Sequence, residues 1–375
     1  MVGCLELLQG RAHNDTPCFI EMEKLFEILR CALSNQPYTG SLSASEFREV
    51  LKQAEEQAVF GIVFDAIKGI KVNGVDRLAI CEAVGLSEQI KQQNRIVNQR
   101  AELLSGILSH LNCKTCVLKG QGITQLYPEP LLRQSGDIDI WVDGTQDDIV
   151  SILRNNYIGI RNIDYVHSGC AFFDDVEVEV HFRPSWMYNP FKNKKLQKFF
   201  KENAKEQFGN VDANVGFTYP TIQFNLVYSL IHINRHIFEE GIGLRQLCDY
   251  YYILRHSTKE ERDKALAVMI DLGLRKFVGA IMYIEDVVFG IDKKMMLCLP
   301  NEEEGRFLLE EIMRGGNFGH YDERNRFYSA NDRFRRGLFT LRRNLRYLRH
   351  YPSEVLWKPV WQIWHWCWRK YKGYL

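Results

Sequence analysis

Apolar positions along the chain recur with a helical period, then with a period of two, then with a helical period again. Up to about residue 105 the spacing is that of helices with one buried face. Glu21 to Leu33 is a short amphipathic stretch, and Ser43-Ala44-Ser45-Glu46 has the form of a capping box opening a segment towards Ile67. Asp76 to Leu111 reads as helix, interrupted near Gly85 and restarting at Ser87. Its polar stretch Gln89 to Arg100 leads into Leu103, Leu104, Ile107, Leu108 and Leu111, a set expected to pack on a sheet. The middle of the chain alternates instead. Thr115 to Leu118, Asp137 to Val142, Tyr165 to Phe173 and Val176 to Phe182 read as strands, with short helices at Gln121 to Tyr127 and Gln146 to Asn155 between them. Beyond residue 219 the helical period returns. One helix follows Thr221, another begins near Gly243 with Leu244, Leu247 and Tyr251 on one side, and Ser257-Thr258-Lys259-Glu260 is a capping-box match opening Glu260 to Leu272. A further amphipathic helix, Asn331 to His350, carries Phe334, Leu338, Leu341, Leu345 and Leu348 and stops at Pro352. The pattern predicts an α+β protein in three parts: a helical region over 1–104, a mixed core over 105–215 and a helical domain over 216–375.

The chemistry concentrates between Leu118 and Val142. A strand over Asp137-Ile138-Asp139-Ile140-Trp141-Val142 points Asp137 and Asp139 to one face and Ile138, Ile140 and Val142 to the other. Two carboxylates so close repel unless a cation lies between them, and an oxygen-only pair suits Mg²⁺ or Mn²⁺ better than Zn²⁺. Upstream, Lys119-Gly120-Gln121-Gly122 follows an apolar strand; its glycines allow close backbone approach to a phosphate, and Lys119 supplies positive charge.

These residues resemble the glycine-then-Asp-x-Asp signature of the DNA polymerase beta-like nucleotidyltransferase superfamily. The fuller string of LKG, LYP, Arg133 and GDIDI resembles the bacterial "uncharacterised nucleotidyltransferase" family within it, over roughly residues 105–250. The resemblance implies a small mixed-sheet nucleotidyltransferase core with flanking helical regions, and a third metal-binding carboxylate on a neighbouring strand. The family's carboxylate-apolar-His pattern falls on Glu179-Val180-His181, which makes Glu179 the third acid and Glu177 the reserve. It further implies that Asp137, Asp139 and Glu179 hold two Mg²⁺ (or Mn²⁺) ions and that a nucleoside triphosphate, with ATP the first candidate, meets Lys119, Gly120, Gln121, Gly122, Gly136 and Arg133. His181 would orient a carboxylate. The expected activity is transfer of a nucleoside monophosphate to an acceptor hydroxyl or phosphate. The rival expectations are a non-catalytic nucleotide- or protein-binding module of the same fold, and a toxin-like enzyme modifying tRNA or protein.

Composition adds bounds rather than chemistry. A chain of 375 residues with a formal charge of +1 gives no overall bias towards a polyanion. Ten cysteines are scattered without the dense spacing of a secreted disulfide scaffold, no signal-peptide pattern opens the chain, and no apolar run is long enough to span a membrane. A cytoplasmic location is expected. Cys113-x-x-Cys116 reads as core cysteine rather than half a zinc site. The basic run from Lys192 to Lys198 after Asn189-Pro190 reads as a solvated, mobile connection. His232 and His236 share a helix face, as do Arg245 and Asp249; His236, Arg245 and Asp249 read as cleft-lining or interhelical contacts rather than metal ligands. At the C-terminus nine arginines fall between Arg324 and Arg349, followed by Trp357, Trp361, Trp364 and Trp368 at helical spacing. This stripe is expected to dock a terminal helix on the domain by its aromatic face, with nucleic-acid, oligomer or membrane-surface contact as alternatives; Pro359 is expected to weaken any long regular helix.

Overall fold

A computed structural model describes residues 22–212, 214–325 and 342–374. The sheet that carries the acids has the order β1-β2-β5-β4-β3. Its strands are β1 (Thr115–Leu118), β2 (Ile138–Val142), β3 (Gly159–Arg161), β4 (His167–Ala171) and β5 (Val178–His181). Only β2 and β5 run parallel; the other pairings are antiparallel, which makes the sheet mixed. The strand at β3 was not legible in the alternation, and Asp137 lies one residue ahead of β2 rather than within it.

Each face of the sheet meets different helices. Val117, Ile138, Ile140, Val142, Val178 and Val180 pack against Val97, Ala101, Leu104 and Leu108 of α4 (Arg77–His110) and against α6 (Gln146–Asn155). Of the leucines expected there, Leu103 is 48% exposed and belongs to the outer side of α4. α4 is one uninterrupted helix of 34 residues capped by Asp76; Gly85 does not break it, because a single glycine costs only about 1 kcal/mol within a long helix. It also crosses the boundary drawn at residue 104.

The other face, carrying Cys116, Leu118 and Trp141, is covered by α8 (Ile222–Glu239), with Trp141 stacked on Phe224 and tilted against Phe208. Behind α8 stand α9 (Leu244–His256), α10 (Lys259–Asp271), α11 (Arg275–Phe289) and α12 (Glu302–Gly315), in one apolar core with α1 (Glu23–Leu33), α2 (Ala44–Glu56) and α3 (Phe60–Ile67). The Ser43/Glu46 capping box opens α2 as expected, while the box at α10 is formed one residue later than expected, by Thr258 and Glu261.

The lysine run after Asn189 is not a loose connection but the first half of α7 (Pro190–Gln207), with Asn189 as its cap and Pro190 at its first position, where a missing N–H costs nothing. The Trp-rich segment forms α13 (Pro352–Tyr371), continuous through Pro359. It docks by its aromatic face: Trp361 lies flat on Trp186 at 3.9 Å, and Trp364 and Trp368 meet the edge of Tyr165. Of the arginines described before it, Arg324 is held by Glu311 and Asp322 and Arg343 by the Glu239 carbonyl. Most of the expected Asn331–His350 helix lies outside the described residues. Among the described residues no helix is long and apolar enough to cross a membrane.

One buried group strains this core. Glu285 on α11 is fully buried, neither carboxylate oxygen has a hydrogen-bond partner, and burial pushes its carboxyl well above the usual range. The folded protein thus holds a proton that the unfolded chain releases above pH 4.5, so stability falls as pH rises past that point. Glu285→Met is expected to stabilise the protein at pH 7 and by progressively less towards pH 4.5. Urea unfolding at the two pH values measures the difference; equal gains at both would contradict the assignment.

Candidate active site

Strand register assembles the site. The parallel pairing sets Asp139 beside Glu179 and Trp141 beside His181, and β4 sets His167 opposite His181. Alternation then brings Asp139, Glu179, His181 and His167 onto the face opposite the valine-isoleucine core. Asp137 reaches the same side from the residue before β2, and one carboxylate oxygen from each of Asp137, Asp139 and Glu179 lies within 4.8 Å of the others. Glu177 is exposed and outside this group; its carbonyl accepts from the Ile138 N–H.

The turn after β1 supplies the cation. Leu118 pairs with Asp139 across β1 and β2, and the chain then folds sharply through Lys119 (φ 45°) and Gly120 (φ 24°, ψ −111°) at the start of α5 (Lys119–Thr124). The Gly120 conformation is one that side chains disfavour. The turn delivers Lys119 Nζ to 2.7 Å from Asp139 Oδ1, and His181 Nε2 approaches the same oxygen at 2.8 Å.

Charge is distributed unequally among the acids. Burial would raise the Asp139 carboxyl, but Lys119 and His181 hold it far below the usual range. Asp137 opens onto the cleft and has no such pairing; the neighbouring Asp139 charge, then burial, push it up to about 6. Burial opposes ionisation of Glu179 too, yet His181 keeps it low. On His181 burial is outweighed by Asp139 and Glu179, which raise it to about 9. The two acids beside His181 are therefore anionic, and Asp137 titrates close to neutrality.

The acids form the floor of a cleft of about 460 Å³ roofed by α8 and α9. Lys119, Gly120, Gly136, Asp137, Asp139 and Glu179 line one side; His232, Arg235 and His236 face them from α8, and Arg245, Gln246 and Asp249 from α9. Burial lowers both α8 histidines. Arg245 is lowered to about 10 by burial and by the nearby Arg133; one terminal nitrogen donates to the Gln134 carbonyl, and its Nε has no partner. Ser229 Oγ, Arg235 Nε, Gln246 Oε1, Trp361 Nε1 and His365 Nε2 are likewise buried, unpartnered and on residues that line this cleft. Such a concentration of unmet donors and acceptors is what water or a polar ligand in the cleft would satisfy.

Three residues expected at the nucleotide play other parts. Arg133 is buried with Nε and Nη2 donating to the two Asp249 oxygens at 2.6 and 2.7 Å, so its guanidinium is committed to the protein rather than to a phosphate. Gln121 turns away from the cleft and donates to Asn98 Oδ1 at 2.6 Å. Gly122 is needed for packing: a Cβ there would sit 2.3 Å from the Val117 carbonyl oxygen. Gly122→Ala is expected to cost about 2–3 kcal/mol through this backbone clash, read as a lower urea midpoint with an unchanged slope. The polar roof from α8, with Trp361 and His365 from α13, was not assembled by sequence reasoning; the helical spacing of His232 and His236 was its one visible sign. Cys113 and Cys116 are both buried and free, as expected of core cysteines.

No curated protein matches this chain. A family profile described as "Uncharacterised nucleotidyltransferase" matches residues 43–290, from the cap of α2 to the end of α11, a wider span than the signature motifs. With more than half of its length matched, and the acids of β2 and β5 inside the match, the chain belongs to this family of nucleotidyltransferases.

Proposed function

We propose that the protein transfers a nucleoside monophosphate from a nucleoside triphosphate, in a metal-dependent reaction, to an acceptor hydroxyl or phosphate. The observation that carries this reading is the convergence of Asp137, Asp139 and Glu179 within 4.8 Å at the floor of a cleft whose other wall includes Arg235 and Arg245. The donor set is all oxygen and already neutralised in part by Lys119, which fits a hard divalent ion such as Mg²⁺ or Mn²⁺. An ion held by these carboxylates would neutralise charge on the phosphates and activate the attacking hydroxyl.

The chain's own residues do the rest by positioning. Lys119 and His181 keep Asp139 ionised, and the β2–β5 register fixes the spacing of the carboxylates before any ligand arrives. The Gly120 turn brings backbone to the phosphate side of the cleft. Arg245, desolvated and without a carboxylate partner, is placed to take negative charge from the triphosphate, the part first assigned to Arg133. No covalent protein intermediate is required.

The test is transfer of label from each of the four triphosphates, labelled in turn at the α-phosphate, to RNA and protein acceptors in the presence of Mg²⁺ or Mn²⁺, with unlabelled pyrophosphate as the other product. Label transferred to an acceptor, dependent on metal and absent in Asp137→Asn, supports the reading and identifies donor and acceptor. Arg245→Met is expected to raise the KM for the triphosphate at least about 10-fold, since a charged hydrogen bond is worth 1.5–3 kcal/mol or so. An unchanged KM would remove Arg245 from the phosphate site.

A further inference from the structure

Beside the carboxylate cluster, the same sheet face carries a second donor set of different chemistry. His167 Nδ1 lies 3.2 Å from Glu179 Oε2, and His181 Nε2 lies 3.6 Å from that same oxygen. One donor atom from each of the three residues falls within 4.8 Å of the others. Donors bound tetrahedrally to one ion at 2.0–2.1 Å stand about 3.4 Å apart, so the spacing suits a single ion with little movement.

The approach of His167 to Glu179 is not an ordinary hydrogen bond. The distance is short enough, but the alignment is not, and His167 Nδ1 is buried without a hydrogen-bond partner. The far nitrogen of each ring faces an oxygen. His181 Nδ1 lies 3.2 Å from the Arg183 carbonyl oxygen. His167 Nε2 lies 3.4 Å from Asp164 Oδ2, while Asp164 Oδ1 accepts from the Val166 and His167 N–H groups at 2.6 and 2.7 Å. An oxygen behind each imidazole is the outer support that metal-binding histidines use; His167 Nδ1 is left without a hydrogen-bond partner, while His181 Nε2 is shared with Asp139 Oδ1 until an ion displaces its proton. The rings are also a cross-strand pair stacked at 5.0 Å. Stacking alone accounts for neither the two far-side acceptors nor the bare Nδ1.

We propose that His167, Glu179 and His181 form a mixed nitrogen-oxygen site for a borderline transition ion of the Zn²⁺ and Co²⁺ kind, adjacent to the oxygen-only pair Asp137 and Asp139. Asp139 Oδ1, 2.8 Å from His181 Nε2, is the nearest fourth donor. On binding, the ion takes the place of the proton on His181 Nε2, which leaves to solvent. Imidazole donors suit such ions and not Mg²⁺, so the two halves of the site select different cations. The inference touches the nucleotidyl-transfer reading through Glu179, which both sites share, and through Asp139, which His181 holds.

The experiment is titration of the metal-free, full-length protein with Co²⁺, followed by its visible absorption. One equivalent is expected to give the intense band of a four-coordinate nitrogen-containing site. His167→Gln is expected to weaken Co²⁺ binding on the order of 100-fold and abolish the band, and Asp164→Asn to weaken it about 10-fold, as loss of an outer support does. Asp137→Asn should leave the band in place. A band that survives in His167→Gln, or a folded wild-type protein that binds no Co²⁺, would overturn the proposal. Mg²⁺-dependent triphosphate binding, measured on His167→Gln alongside, reports separately on the oxygen pair. Circular dichroism of each variant confirms that the sheet is intact.

Discussion

Asp249→Ala is expected to destabilise the protein by about 3–5 kcal/mol, because it leaves the Arg133 guanidinium buried and unpaired. Both residues are nearly inaccessible, and the pair is bidentate, with the Tyr127 hydroxyl donating to the same carboxylate at 2.7 Å. The contact ties α9 to the segment that leads into β2. Asn94 of α4 clamps that segment from the other side, donating to the Leu131 and Arg133 carbonyls at 2.9 and 2.6 Å. Since Asp137 stands at the end of this segment, loss of the pair should loosen the acid as well as the fold. The double variant Arg133→Met, Asp249→Leu should recover most of the stability, since it removes both buried charges. Urea denaturation of the three proteins decides the point. A single variant costing under about 1 kcal/mol would mean that water or another donor compensates Arg133.

Asp139→Asn should lower turnover on the order of 1000-fold or more, since it removes a ligand of the proposed metal site together with the counter-charge of two cations. Lys119 and His181 both lie within hydrogen-bond reach of Asp139 Oδ1. The neutral amide leaves them facing each other, so some stability, about 1–3 kcal/mol, should go too. Asp137→Asn separates the effects. Asp137 carries the electrostatic cost of sitting beside Asp139, and its folded-state carboxyl is raised to about 6. A raised acid loses stability as pH climbs from 3.8 towards 6, so the amide should stabilise the metal-free protein above that range by about 1 kcal/mol once solvent screening is allowed for. Activity should nevertheless fall as in Asp139→Asn. A variant that gains stability and loses turnover marks a residue placed for function.

Asp137 and Asp139 were legible because a period of two is the clearest local signal a sequence carries; Glu179 was picked out by the resemblance, whose carboxylate-apolar-His pattern falls on it, since alternation alone leaves Glu177 on the same face. The parallel register that sets Asp139 beside Glu179 was not legible; it depends on a crossover that no local pattern encodes. Arg133 was misplaced for a related reason. An arginine near an acidic motif looks like a phosphate ligand until Asp249, more than a hundred residues away, is brought within 2.6 Å. The lysine-rich start of α7 illustrates the limit of charge patterning, since Asn189 and Pro190 outweighed the polar composition by capping a helix. His167 lay in an expected strand, yet only its register against His181 gives it a role.

The central claim, that Asp137, Asp139 and Glu179 hold a metal-bound nucleoside triphosphate, is tested most directly by isothermal titration of the protein with ATP, CTP, GTP and UTP, with and without Mg²⁺. The account predicts saturable binding of at least one triphosphate that requires the metal and disappears in the Asp137→Asn, Asp139→Asn double variant. Folded protein that binds no triphosphate, or binds one equally well without metal and in the double variant, would contradict it.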